Sequence, residues 1–102
     1  MKLTGRTAQR TLAYVNRLRA QEQLPPVEKL PAGRLNSASL CPVAKALGEG
    51  YDGYVEITNR DIRWYSREDV YRKSVWMWMV PVYVRDFIWA FDKERIPELI
   101  DR

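Results

Sequence analysis

Near the start of the chain the apolar residues recur at helical spacing. Between Thr4 or Arg6 and about Gln23, a rotation of about 100° per residue places Ala8, Leu12, Val15 and Leu18 on one face, which predicts an amphipathic helix. Leu24-Pro25-Pro26 stops it, because proline has no amide hydrogen for the helix and restricts the residue before it. Residues 27–40 follow neither period and contain Pro31-Ala32-Gly33 and Asn36-Ser37-Ala38-Ser39, so they read as an irregular connection. Connections longer than about 12 residues are usually functional, mobile or packed by their own side chains. Val27, Leu30, Leu35 and Leu40 favour packing, and the segment is not expected to link two domains.

Cys41-Pro42-Val43-Ala44-Lys45-Ala46-Leu47-Gly48 predicts a short second helix, with Pro42 in its first turn and Gly48 free to take the left-handed conformation that closes it. The period then changes to two. Tyr54-Val55-Glu56-Ile57-Thr58 and Ile62-Arg63-Trp64-Tyr65 alternate on either side of Asn59-Arg60-Asp61, as in a hairpin that buries Val55, Ile57, Ile62 and Trp64. Ser66-Arg67-Glu68-Asp69 has the form of a capping box and would suit a short helix through Lys73, while residues 75–80 are favoured as a third strand. Trp76, Trp78 and Val80 would share one side of that strand and Val75, Met77 and Met79 the other. Both sides are apolar, so one should meet the helices and the other a second surface.

Pro81 opens a last helix whose inward stripe is Val84, Phe87, Ile88 and Phe91, with Val82, Arg85 and Trp89 opposite and Asp86 to one side. The tail, Arg95-Ile96-Pro97-Glu98-Leu99-Ile100, has apolar residues that could fold back over Trp89. The pattern as a whole predicts an α+β fold: an N-terminal helix, a short second helix, a small antiparallel β-meander and a C-terminal helix packed on it. At 102 residues, residues 1–102 are expected to form one domain.

Composition adds one strong feature. Residues 75–91 hold three of the four tryptophans, both phenylalanines and every methionine but the first. Each aromatic side chain buries roughly 150–250 Å², so this tract must face a core, a partner or a lipid surface. A membrane-spanning helix needs about 20 mainly apolar residues. The apolar run here is 10 residues, 75–84, before Arg85 and Asp86, so no span is expected. Interfacial attachment through the tryptophans remains an alternative. The amino end is basic but continues into Thr, Gln and Arg instead of an apolar segment, so export is not expected and the cytoplasm is.

The available chemistry is narrow. The chain has no histidine and a single cysteine, Cys41, which removes internal disulfides, Cys/His zinc sets and His-activated nucleophiles. Glu56, Asp61, Glu68 and Asp69 are the carboxylates that could carry acid–base chemistry, but no spacing among them marks a pair. Cys41 falls at or just before a helix amino end, where a thiol pKa drops, yet without a partner it reads better as a small buried residue. The glycines around 48–53 lack the spacing of a phosphate loop or dinucleotide fingerprint and read as turn residues. No enzyme activity, metal or cofactor is expected.

Charge is uneven. Residues 1–47 carry eight Lys/Arg against Glu22 and Glu28, whereas residues 48–102 carry nine against eleven acids. On the first helix Arg6, Arg10 and Arg17 fall opposite the apolar stripe, and with Arg19 they could grip phosphates or an acidic protein patch, or simply form a solvated face.

Residues 41–48, together with Pro81, Val84, Phe87-Ile88, Phe91-Asp92 and Pro97-Glu98-Leu99-Ile100, resemble small uncharacterised proteins encoded by bacteriophages of actinobacteria. The resemblance implies a protein acting inside an infected bacterium by binding a host protein and altering its activity; it implies no catalytic residues and no cofactor. The Trp- and Met-rich residues 75–80 depart from it, since an ordinary core strand is expected there. Two functions follow. One is a non-enzymatic module that binds a host protein through Trp76, Trp78, Val82, Arg85 and Trp89. The other is a small nucleic-acid-binding protein using Arg6, Arg10, Arg17 and Arg19. Self-association through the apolar strand would make it a homo-oligomer.

Overall fold

A computed structural model describes residues 5–58, 60–66 and 80–101. The first helix, α1, spans Gly5–Gln21 and is two residues shorter than its apolar pattern suggests. It ends in a Schellman motif: Leu24 N–H donates to the Arg19 carbonyl at 2.8 Å and Gln23 N–H to the Ala20 carbonyl at 3.1 Å. Gln23 takes the left-handed conformation this requires, with φ 60°. The buried face is also rotated from the expected stripe, since Thr11, Tyr14, Val15, Leu18 and Arg19 are buried while Ala8 and Leu12 are only partly covered. The Thr11 hydroxyl is accommodated by donating to the Thr7 carbonyl one turn back, at 2.8 Å.

The connection to the next helix packs as expected through Leu30, and less fully through Val27 and Leu35, but Leu40 is exposed. Gly33 lies so close to the backbone of Leu40, Cys41 and Pro42 that a Cβ would collide with it. There the connection receives the tail. Gly33 N–H donates to Leu99 and Asp101 N–H to Gly33, each at 2.8 Å, forming a parallel bridge with Ile100. Backbone pairing thus holds the tail against the connection. Ile96 is buried on the core, so the tail does not fold over Trp89 as its apolar residues suggested.

The second helix, α2, spans Pro42–Gly48, with Cys41 as its N-cap and the thiol sulfur accepting from Ala44 N–H at 3.4 Å. Gly48 does not close it in a left-handed turn. It is the last helical residue, Glu49 is extended, and the positive φ of 77° belongs to Gly50. Strands β1, Gly53–Ile57, and β2, Ile62–Ser66, pair antiparallel with Val55 opposite Trp64 and Ile57 opposite Ile62. Thr58 and Asp61 close the turn: Thr58 N–H donates to the Asp61 carbonyl at 2.9 Å, and its hydroxyl donates to Asp61 Oδ1 at 2.8 Å. All four expected inward residues of the hairpin are buried. The third strand of the meander and the alternative helix after Ser66 lie outside the described residues.

Helix α3, Val82–Asp92, begins after Pro81 and buries Val84, Phe87, Ala90 and Phe91, with Ile88 partly covered. Between α1, α2, the hairpin and α3 lies one core that includes Val15, Leu18, Val43, Leu47, Ile62, Trp64, Phe87 and Phe91. A short 3-10 turn, Pro97–Leu99, carries the chain to the bridge at Gly33.

Candidate interaction surface

The face of α3 turned away from the core is where helical spacing placed it. Val82 is 61% and Trp89 49% exposed, and Arg85 lies between them, also exposed. These positions are three, four and seven residues apart, so they form one stripe. The Arg95 guanidinium lies over the Trp89 ring, 4.6 Å from its centroid. Tail and helix therefore meet at this indole through a cation–π contact, which leaves half of the ring open.

Beside the stripe runs a groove of about 380 Å³ between α3, the 36–38 segment and the end of β1. Ile57 and Ile88 supply apolar surface, Arg85 and Trp89 line the α3 side, and Asn36 and Asp92 close one end. That end is fixed, because Asn36 N–H donates to Asp92 Oδ1 at 2.9 Å with Asn36 itself at φ 52°. The far wall is tied to the sheet by Ile57 N–H donating to the Ala38 carbonyl at 2.8 Å. Trp76 and Trp78, proposed from sequence for the same surface, lie outside the described residues.

The basic set on α1 divides. Arg6, Arg10 and Arg17 are exposed, as expected. Arg19 is not part of the ridge: it is 2% exposed. Its Nη1 donates to the carbonyls of Ala46, Leu47 and Glu49 at 2.9, 3.0 and 2.8 Å, and its Nε to Pro25 at 2.8 Å. The last carbonyls of a helix have no partner within it. Arg19 satisfies those of α2 and joins them to the chain leaving α1. Burial lowers its pKa, partly opposed by the Glu49 carboxylate. Helical phase at about 100° per residue sets Arg19 inside the apolar stripe, between Ala8 and Leu12, so its burial could be read from the spacing. The spacing could not show that α2 ends against this position.

Two contacts across the α1–α3 seam, Arg10 with Tyr83 and Tyr14 with Tyr83, were not legible from the pattern, whereas Tyr14 and Arg17 are three apart on one helix. The Arg10 guanidinium sits 4.1 Å from the Tyr83 ring centroid and Arg17 5.5 Å from that of Tyr14, while the two tyrosines meet edge to face at 6.3 Å. On the outer side of the hairpin Tyr54 and Tyr65 stack at 4.5 Å, as direct cross-strand neighbours. That pair could have been read from the strand alternation once the turn fixed the register.

The carboxylates considered for catalysis are engaged in the hairpin. Glu56 accepts from the Tyr65 hydroxyl at 3.3 Å, and Asp61 accepts in the turn and pairs with Arg63 at 3.4 Å. Glu68 and Asp69 lie outside the described residues. Cys41 is buried, and desolvation outweighs the helix-end amides, pushing its thiol up to about 11. Among the described residues no three Cys, Asp or Glu side chains cluster as metal ligands, and no helix is long and apolar enough to cross a membrane. In comparisons with known proteins, no family model, curated protein or solved structure matches the chain.

Proposed function

We propose that the protein is a non-enzymatic interaction module acting in a bacterial cytoplasm, where it docks on a host protein through the outward face of α3 and alters that protein's activity. The observation that carries this reading is Trp89, half exposed on a helix whose opposite face is buried, and flanked by the exposed Arg85 and the stacked Arg95. Trp and Arg are the residue types enriched where binding energy concentrates. The groove beside them suits a partner that offers an apolar side chain to Ile57 and Ile88 and an acceptor to Arg85. The phage-encoded setting rests on the resemblance of residues 41–48 and the carboxyl-terminal segments to small actinobacteriophage proteins.

The test is capture from nuclease-treated actinobacterial lysate with three forms of the protein. Wild type and a variant with Arg6, Arg10 and Arg17 changed to Gln should retain the same host protein, and Trp89→Ala should lose it while remaining folded. Equal capture by Trp89→Ala overturns the proposal. A wild-type dimer that Trp89→Ala dissociates in sedimentation would also overturn it, by assigning the face to a second copy of this chain.

A further inference from the structure

Helix α1 has 17 residues, Gly5–Gln21, without one Asp or Glu. Along its exposed side run Arg6, Gln9, Arg10, Ala13, Arg17 and Ala20. No ion pair engages its three exposed arginines among the described residues. At 1.5 Å rise per residue, Arg6 and Arg10 are separated by about 6 Å along the axis and Arg10 and Arg17 by about 10.5 Å. Ala13, between Arg10 and Arg17, presents little bulk, so a polyanion can approach the helix closely there.

The aromatic contacts make this more than a solvated face. Arg10 is held over Tyr83 and Arg17 over Tyr14, so two of the three guanidinium planes are positioned by rings that belong to the α1–α3 seam. A guanidinium ordered in this way loses less side-chain freedom when it meets a phosphate, and its edge N–H groups can donate to phosphate oxygens in a bidentate fork.

From the acid-free face, the spacing and the ring-held guanidiniums, we infer that the outward side of α1 binds the phosphate backbone of a nucleic acid without reading its sequence. Arg6, Arg10 and Arg17 each contact a phosphate, and Arg19 takes no part because it is buried, with its Nε and Nη1 donating to backbone carbonyls. This surface is separate from Trp89 and does not depend on the protein partner proposed above.

The experiment uses fluorescence anisotropy with a labelled 20-nucleotide single strand and a 20-base-pair duplex. Three phosphate contacts should give log K against log salt slopes of about −2 for the strand and about −3 for the duplex, a roughly 20- to 40-fold weakening between 50 and 200 mM salt. Changing Arg6, Arg10 and Arg17 to Gln should remove most of the binding and the slope, whereas changing all three to Lys should keep the slope. Trp89→Ala should bind like wild type. If the triple Gln variant melts early through loss of the Tyr83 contact, Arg6→Gln alone, which disturbs neither ring, should reduce the slope by about 1. Absence of wild-type binding at 50 mM salt, or a slope unchanged by either variant, overturns the inference. So does binding of polyglutamate as tight as DNA, which would give the face to an acidic protein.

Discussion

α1 and α3 lie against each other and end in the same way. Each closes in a Schellman motif with a non-glycine residue in the left-handed position, Gln23 at φ 60° and Glu94 at φ 58°, and each buries an apolar stripe in the same core. Their outward sides differ. α1 shows solvent arginine, glutamine and alanine, with its nearest aromatics tucked into the seam, while α3 shows valine, arginine and tryptophan. Packing constrains an inward face, so two helices that share a core resemble each other there. It places no such demand on the outward face, so the contrast between these two faces is where function is to be sought.

The largest expected effect tests the shared inward side. Phe87 and Phe91 are 1% and 0% exposed on α3, so Phe87→Ala or Phe91→Ala should cost about 3–5 kcal/mol, read as a shift of the urea midpoint. A loss below about 1 kcal/mol in either variant would mean that α3 is held by something other than this stripe, and the comparison with α1 would fail.

That stripe, like the hairpin interior and the N-cap of α2, was legible in the sequence because spacing of apolar residues is a direct record of burial. What was not legible depends on contacts between distant segments. Arg19 is the clearest case: helical phase sets it in the apolar stripe with Val15 and Leu12, opposite Arg17, but does not show which groups take its charge, because those carbonyls come from the end of α2. The tail is another. Its apolar residues fit a cover for Trp89, yet the backbone pairing at Gly33 takes them elsewhere, and it is Arg95 of the tail that lies on the indole. Of the candidate surface, the Val82–Arg85–Trp89 stripe was readable from helical phase, whereas the groove beside it was not, because its other wall comes from residues 36–38.

Arg17 and Arg19 sharpen the contrast within α1 itself. Arg19→Ala removes four charge-assisted donations and leaves carbonyls of α2 buried, so it should cost about 2–4 kcal/mol. Arg19→Lys should fall between, because an ammonium cannot span Pro25 and the end of α2 as a planar guanidinium does. Arg17→Ala, on the exposed side, should cost less than about 1 kcal/mol. Equal destabilisation by Arg17→Ala and Arg19→Ala in urea unfolding would erase the boundary drawn between the two sides of this helix.

Trp89 tests the outward side of α3. Trp89→Ala should lower stability clearly less than Phe87→Ala or Phe91→Ala, because about half of its side chain is exposed whereas theirs are buried. Against the protein partner captured in the experiment above, the same change should weaken binding by about 2 kcal/mol or more in titration calorimetry. A large loss of stability instead would make Trp89 a structural residue, and α3 would no longer differ from α1 in having a binding side.

The smallest effect lies where the two helices meet. Arg10 of α1 over Tyr83 of α3 is an exposed cation–π pair, worth about 0.5–1 kcal/mol if the guanidinium stays on the ring in solution. A double-mutant cycle with Arg10→Gln and Tyr83→Leu isolates that coupling, since leucine keeps the apolar contact with the core while removing the π face. The parallel cycle with Arg17→Gln and Tyr14→Leu should give a smaller value, because Arg17 stands 5.5 Å from its ring rather than 4.1 Å. Coupling near zero in the first cycle would mean that Arg10 moves freely. The seam would then not order this guanidinium for a phosphate, and the two helices would differ only in the residues they expose.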